Sequence, residues 1–291
     1  MKINMKDFRV QKNTHINLNL HPTLITPLYE SKNAYRAILE KHIGELSRQQ
    51  SLLYASGQYA LLILFQAMDT GGKDGVIRHV MSGVNPQGCK VVSFKQPSER
   101  ETRHDFLWRI VKELPERGQI GIFNRSYYED VLITRVHPEL LETQKLPVPW
   151  NQGTSLWNGR YRSIRDLEAH LHRNGTRILK FFLHISEEEQ KKRLIERIDT
   201  PEKNWKFSMS DLNERQYWDT YTKAYEHCIA ETASKEVPWY IIPADDKENA
   251  RIIVSDIILR TLHKLKLSWP MPDKKHRKML MTIREKLQFM P

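Results

Sequence analysis

Ala60-Leu61-Leu62-Ile63-Leu64-Phe65-Gln66 runs without interruption into Ala67-Met68-Asp69-Thr70-Gly71-Gly72-Lys73-Asp74-Gly75. The first seven residues are a continuous apolar run followed by glycines, the pattern of a strand buried on both faces. The helical spacing of Val76, Ile77, Val80 and Met81 follows at once. Strand, glycine-rich turn and helix in this order form the context of a phosphate-binding P-loop. Glycines allow the backbone to wrap a phosphate with its N–H groups turned inward. The helix N-terminus adds partial positive charge, and Lys73 adds a full one.

The stretch departs from Gly-x4-Gly-Lys-Ser/Thr at two positions. Ala67 replaces the first Gly, and Asp74 replaces the hydroxyl residue that binds Mg²⁺. A plain strand-to-helix turn remains the alternative reading. Asp69 lies inside the loop, where a carboxylate facing bound phosphates is repelled unless a cation sits between them. It is therefore the candidate Mg²⁺ ligand, with a turn-forming Asp as the alternative.

Working outward, further apolar runs are Lys90–Phe94, Gln119–Phe123, Thr176–Ile185 and Val237–Ile242. Helical patterns separate them, for instance Glu101 to Leu114 and Ser186 to Arg197. This alternation predicts an α/β fold: a mainly parallel, five-stranded sheet with helices on both faces. Before it, residues 1–31 read as an extended polar arm. From Lys32, an apolar stripe of Tyr35, Ile38, Leu39, Ile43 and Leu46 predicts a helix packed on the domain. Leu141 to Gly159, with Pro147, Pro149, Trp150 and Trp157, reads as an insertion. Residues 32–270 are expected to form the main domain, with a lid at about 186–216. Residues 271–291, with Lys274, Lys275, Arg277 and Lys278, read as a basic peripheral segment.

The third run ends in Asn124-Arg125-Ser126-Tyr127-Tyr128-Glu129, so Asn124 and Arg125 should border the loop at the carboxyl end of the sheet. Asn124 is neutral, which leaves the metal role to Asp69. Arg125 can grip a phosphate through two parallel hydrogen bonds. Ser126 and Glu129 have capping-box spacing, which would account for both residues without a role for Glu129 at the site. In the lid, Arg193 and Arg197 are four apart and share one helix face, with Lys203 and Lys206 after them. They read either as charge neutralisers closing over phosphates or as a solvated face paired with nearby glutamates.

The 291 residues are 40% hydrophobic and 28% charged, in the globular range, and carry a net charge of +11. That balance suits a polyanionic partner without identifying it. Cys89 and Cys228 are far apart and lack metal-ligand spacing, which fits a reducing compartment. With no apolar run long enough to span a bilayer, a cytoplasmic setting is expected.

Asp69–Gly75, Gly83-Val84-Asn85-Pro86-Gln87-Gly88 and Phe123–Glu129, in this order, resemble the family 2 polyphosphate kinases. The likeness runs from about Lys32 to Arg260 and includes Lys203-Asn204-Trp205-Lys206-Phe207. It implies a P-loop kinase fold similar to thymidylate kinase, with a helical lid. It also implies reversible, Mg²⁺-dependent phosphoryl transfer between inorganic polyphosphate and nucleotides, with Mn²⁺ as a substitute metal. By the same likeness, Asp69 binds metal, Lys73 and Arg125 bind phosphate, and Arg193 and Arg197 are lid arginines. Gly71, Gly72, Asp74, Gly75, Asn124, Glu129, Lys203 and Lys206 complete the expected nucleotide- and phosphate-binding set.

The pairing of Asn124 with Glu129 resembles the third class of the family, which uses mono- and diphosphates. AMP is then expected to go to ADP and ADP to ATP, with purine nucleotides as a group. Lys90, Lys95, Arg100 and Arg103 are candidates to line a polymer channel. A homo-oligomer, dimer or tetramer, is expected from the family, with neither membrane nor nucleic acid as a partner. The rival readings are an ATP-dependent nucleoside monophosphate kinase and a non-catalytic nucleic-acid-binding P-loop protein.

Overall fold

The computed structural model describes residues 3–11, 15–147, 153–205, 207 and 209–290. Pro149, Trp150 and Lys206 of the expectations above lie outside these residues. In chain order the main elements are α1 (Lys32–Ser56), β1 (Ala60–Ala67), α2 (Lys73–Val80), β2 (Cys89–Ser93), α3 (Glu99–Thr102), α4 (Trp108–Val111), β3 (Ile120–Asn124) and α5 (Glu129–Val136). There follow α6 (Gly153–Arg173), β4 (Thr176–His184), α7 (Glu187–Asp199), α8 (Pro201–Asn204), α9 (Met209–Glu214), α10 (Trp218–Thr232), β5 (Trp239–Pro243), α11 (Lys247–Lys264) and α12 (Lys274–Gln288).

The five strands pair in parallel in the order β2-β3-β1-β4-β5. All eight residues of β1 are buried, as a strand covered on both faces requires. The chain leaves β1 toward β2, then returns through β3 to β4 and β5. Right-handed crossovers place α2 on one face and α5, α6 and α10 on the other. Accordingly α1, α2 and α11 pack together, as do α5, α6 and α10. The reversal puts a crevice between the carboxyl ends of β1 and β3, with Phe65 beside Asn124 in register.

Some expectations change. Glu101 to Leu114 is two short helices, α3 and α4, and the chain turns between them where Asp105 Oδ1 accepts from Leu107 N–H at 2.9 Å. An Asp side chain that takes a local amide competes with helix continuation. The expected insertion is shorter, since Trp157 and Gly159 belong to α6. The N-terminal arm docks on the sheet edge: Val10 N–H donates to Trp239 O at 2.9 Å and Ile241 N–H to Phe8 O at 2.8 Å. At the other end α12 carries no buried residue. No helix among the described residues is long and apolar enough to cross a membrane.

Candidate active site

The loop between β1 and α2 owes its path to three residues. Thr70 and Gly72 have left-handed backbones, with φ of 57° and 94°. At Gly71 a Cβ would lie 2.4 Å from Ala67 Cβ and 2.9 Å from Met68 O, so no larger residue fits. Gly72 opens α2 without a side-chain cap, which leaves the first-turn amides for an anion. Lys73 Nζ curls back to donate to Ala67 O at 3.2 Å, and Tyr225 O–H donates to the same carbonyl at 3.0 Å. Burial, with Arg125 nearby, lowers the Lys73 pKa, while Glu129, Asp69 and Asp74 oppose the shift.

From β3, Asn124 Nδ2 donates to Asp74 Oδ1 at 2.5 Å, tying the end of β3 to the first turn of α2. Arg125 follows with φ of 65°, a left-handed conformation that a non-glycine residue keeps only when its surroundings hold it there. The capping box that offered an alternative reading of Ser126 and Glu129 is absent. Helix α5 starts at Glu129 itself, with Tyr128 as N-cap and no side-chain cap. Ser126 Oγ accepts from Tyr128 N–H at 3.3 Å instead. Glu129 turns into the cleft, where the Gln66 amide, with its nitrogen toward the carboxylate, donates to Oε1 at 2.9 Å. Burial raises the Glu129 pKa against the pull of Arg125 and Lys73.

The lid arginines divide. Arg193 is buried, and its guanidinium donates to Glu189 Oε1 at 2.7 Å, Thr70 O at 3.2 Å, Ala244 O at 2.5 Å and Asp245 O at 3.1 Å. It clamps α7 to the phosphate loop and to the end of β5, and it also lines the cleft beside the loop glycines. Arg197, one turn on, reaches the loop carboxylate, with Nη1 3.6 Å from Asp69 Oδ2. Lys203 lines the cleft.

Two compartments meet at Asp69, Lys73 and Arg125. One is a cavity of about 600 Å³ whose lining adds Lys95, Arg193, Arg197, Lys203 and Lys247 to the loop residues. The other, of about 220 Å³, is walled by Leu132, Glu129, Trp218, Tyr221 and Tyr225. Its rim includes His137 and Glu214, whose side chains are 3.0 Å apart. Trp218, Tyr221 and Tyr225 share a face of α10 at helical spacing, a stripe that the sequence reading passed over. Among the channel candidates, Lys95 lines the larger cavity. Lys90 pairs with Glu113 at 2.6 Å, Arg103 with Glu99 at 2.5 Å, and Arg100 lies over the Trp108 ring.

Asp69 Oδ2 and Thr70 Oγ1 are buried without a hydrogen-bond partner among the described residues. Among the described residues, no group of three or more His, Cys, Asp or Glu side chains converges there on a metal-sized space. One loop carboxylate beside an anion cradle suits a magnesium ion that takes its other ligands from phosphates and water.

The family model described as polyphosphate kinase 2 matches residues 29–269. The ADP-polyphosphate phosphotransferase of Rhodopseudomonas palustris is 58% identical over 287 residues, covering 99% of each chain. The AMP/ADP-polyphosphate phosphotransferase of Meiothermus ruber is 46% identical over 270 residues, 92% of this chain and 97% of the relative. The crystal structure of polyphosphate kinase 2 from Arthrobacter aurescens TC1 superposes with a TM-score of 0.84 at 39% identity, covering 94% of this chain and 95% of that one.

Proposed function

Because the chain belongs to the polyphosphate kinase 2 family, we propose that its two compartments divide the substrates of one phosphoryl transfer. The chain transfers phosphoryl groups between polyphosphate and nucleotides. The polymer end enters the larger, cationic cavity, and the nucleotide lies with its base in the smaller, aromatic one. The observation that carries this division is that Asp69, Lys73 and Arg125 line both.

In the forward direction, the terminal anhydride P–O bond of the polymer breaks while a bond forms to a nucleotide phosphate oxygen. The shortened polymer keeps the bridging oxygen and its electron pair. A phosphate acceptor is already largely ionised near neutral pH, so no protein base is needed to remove a proton. The remaining task is alignment and charge neutralisation. Lys73 and Arg125 stand where the two phosphate groups meet, and Arg197 closes from the lid. Asp69 would hold Mg²⁺, or Mn²⁺ in its place, which supplies further neutralisation between the phosphates when bound.

The acceptors in this proposal are AMP and ADP, with Asn124 and Glu129 as the pair that admits the monophosphate. A cytoplasmic, homo-oligomeric enzyme is part of the same reading, supported by the family likeness alone. Incubation with AMP, Mg²⁺ and long-chain polyphosphate, without ATP, should yield ADP and then ATP. Formation of ADP only when ATP is added would replace this reading with an ATP-dependent monophosphate kinase.

A further inference from the structure

Beneath the turn that carries Arg125 and Glu129 lies a polar cluster with no path to substrate. Tyr127 and Tyr128, both 0% exposed, donate their hydroxyls to one oxygen of Glu168, Oε1, at 2.8 and 2.7 Å. The other oxygen, Oε2, accepts from Lys180 Nζ at 2.7 Å. Lys180 donates also to Thr232 O at 2.8 Å and to Tyr128 Oη at 3.1 Å, so all three ammonium protons are used. Trp239 Nε1 closes the cluster by donating to Thr232 Oγ1 at 2.9 Å.

The cluster joins the β3–α5 turn to α6, β4, α10 and β5 through groups that are all buried. A buried ion pair is a weak source of stability, because desolvation offsets most of its attraction and well-packed apolar residues serve as well. What it does supply is direction. Each bond in a fully satisfied network holds its neighbours to one geometry. Here the geometry is that of the Tyr127-Tyr128 dipeptide, which lies with Ser126 between Arg125, whose left-handed φ has to be imposed, and Glu129.

We propose that Glu168 and Lys180, acting through the hydroxyls of Tyr127 and Tyr128, are positioning residues that set Arg125 and Glu129 for phosphoryl transfer. The inference rests on the functional reading above, since positioning is defined by that reaction. A displacement of about 1 Å in an aligning group can cost roughly a hundredfold in rate. Loss of the anchoring hydroxyls should therefore appear in kcat before it appears in binding.

The test compares Tyr127→Phe, Tyr128→Phe and their double variant with Leu262→Ala, a core truncation in the last turns of α11, far along the chain from this turn. Polyphosphate-dependent turnover of ADP by the wild type sets the baseline. The Phe variants should lose about tenfold to a hundredfold in kcat, with KM for nucleotide and polymer changed less than about threefold. Leu262→Ala should keep kcat within about twofold at an equal or larger loss of melting temperature. Wild-type kcat in the Phe variants, or a loss no greater than that of Leu262→Ala, overturns the inference. Should the double variant not fold, Tyr127→Phe alone decides, because it leaves Tyr128 and Lys180 on Glu168. A wild type with no polyphosphate-dependent turnover overturns the functional reading, and the inference with it.

Discussion

Arg197 Nη1 stands 3.6 Å from Asp69 Oδ2, so the lid helix meets the phosphate loop at the very carboxylate proposed to hold the metal. Both side chains are partly exposed, at 26% and 37%, and such a pair contributes little to stability. It can open at small cost when a cation and phosphates arrive. On the proposed function, Arg197 would then be released to the phosphates and Asp69 would be free to hold the ion.

Asp69→Asn tests that exchange. The neutral amide keeps the loop shape but loses the charge for a hard cation. Turnover should fall about 10²–10³-fold, a loss typical of one preorganised charge-stabilising group. The rate should also need far more Mg²⁺ for half-saturation, at a nearly unchanged melting temperature. Wild-type magnesium dependence in this variant would remove Asp69 from the metal site.

The two lid arginines should respond differently to the same substitution. Arg193 spends its planar fork on three carbonyls and a carboxylate, which a lysine cannot reproduce. Arg193→Lys should cost about 1–3 kcal/mol of stability through unsatisfied buried carbonyls, read by thermal or urea unfolding. Arg197→Lys should leave stability within about 0.5 kcal/mol and lower kcat at least tenfold. Equal melting losses in the two variants would contradict the division seen here.

Glu129 makes a pH-dependent prediction. Burial raises its pKa above the ordinary 4.5, so the folded chain binds this proton more readily than the unfolded one. The stability this confers is complete below about pH 4.5 and is lost as pH rises through the folded-state value. Glu129→Gln removes the charge, so its melting temperature should exceed that of the wild type near neutral pH. The gain should shrink as pH falls toward 4.5. A gain of constant size across that range would show that the carboxyl does not titrate as its burial requires.

The larger cavity should treat its polymer as a polyanion. Lys203→Ala and Lys247→Ala each remove one cation from the lining. KM for long-chain polyphosphate should rise several-fold, and its increase with added salt should become shallower. KM for ADP should stay nearly constant, because the aromatic compartment is untouched. An equal rise in both constants would mean that the two substrates are not divided between the cavities.

Breaking the buried pair on one side makes the last prediction. Lys180→Met leaves the Glu168 carboxylate uncompensated at 3% exposure and should cost about 3–5 kcal/mol. Adding Glu168→Leu should recover part of that loss, since neither charge then remains buried although the Tyr127 and Tyr128 hydroxyls lose their acceptor. Unfolding of the single and double variants in urea measures both steps, and a double variant as unstable as the single would contradict this account.

Much of this molecule was legible along the chain, because the signals are local. The apolar run Ala60–Gln66 marks a doubly covered strand wherever it occurs, and glycines at 71 and 72 allow the backbone that the loop needs. Strand and helix in alternation leave few topologies other than a parallel sheet, which is why Asn124 and Arg125 could be placed beside Lys73 in advance. Side-chain direction was decided only by the tertiary structure. Arg193 and Arg197 share a helix face in sequence, yet one meets the carbonyls of Ala244 and Asp245 and the other meets Asp69. Ser126 and Glu129 have the spacing of a capping box, but the left-handed Arg125 ahead of them starts the helix at Glu129 and turns its carboxyl into the cleft. Tyr127 finds Glu168 across 41 residues of chain, and no local pattern announces that bond. The sequence determined which elements form and where phosphate can sit, since those depend on neighbours a few residues apart. Which charge faces the cleft and which is sealed in the core depends on partners that only the packed sheet and its two helical layers bring together.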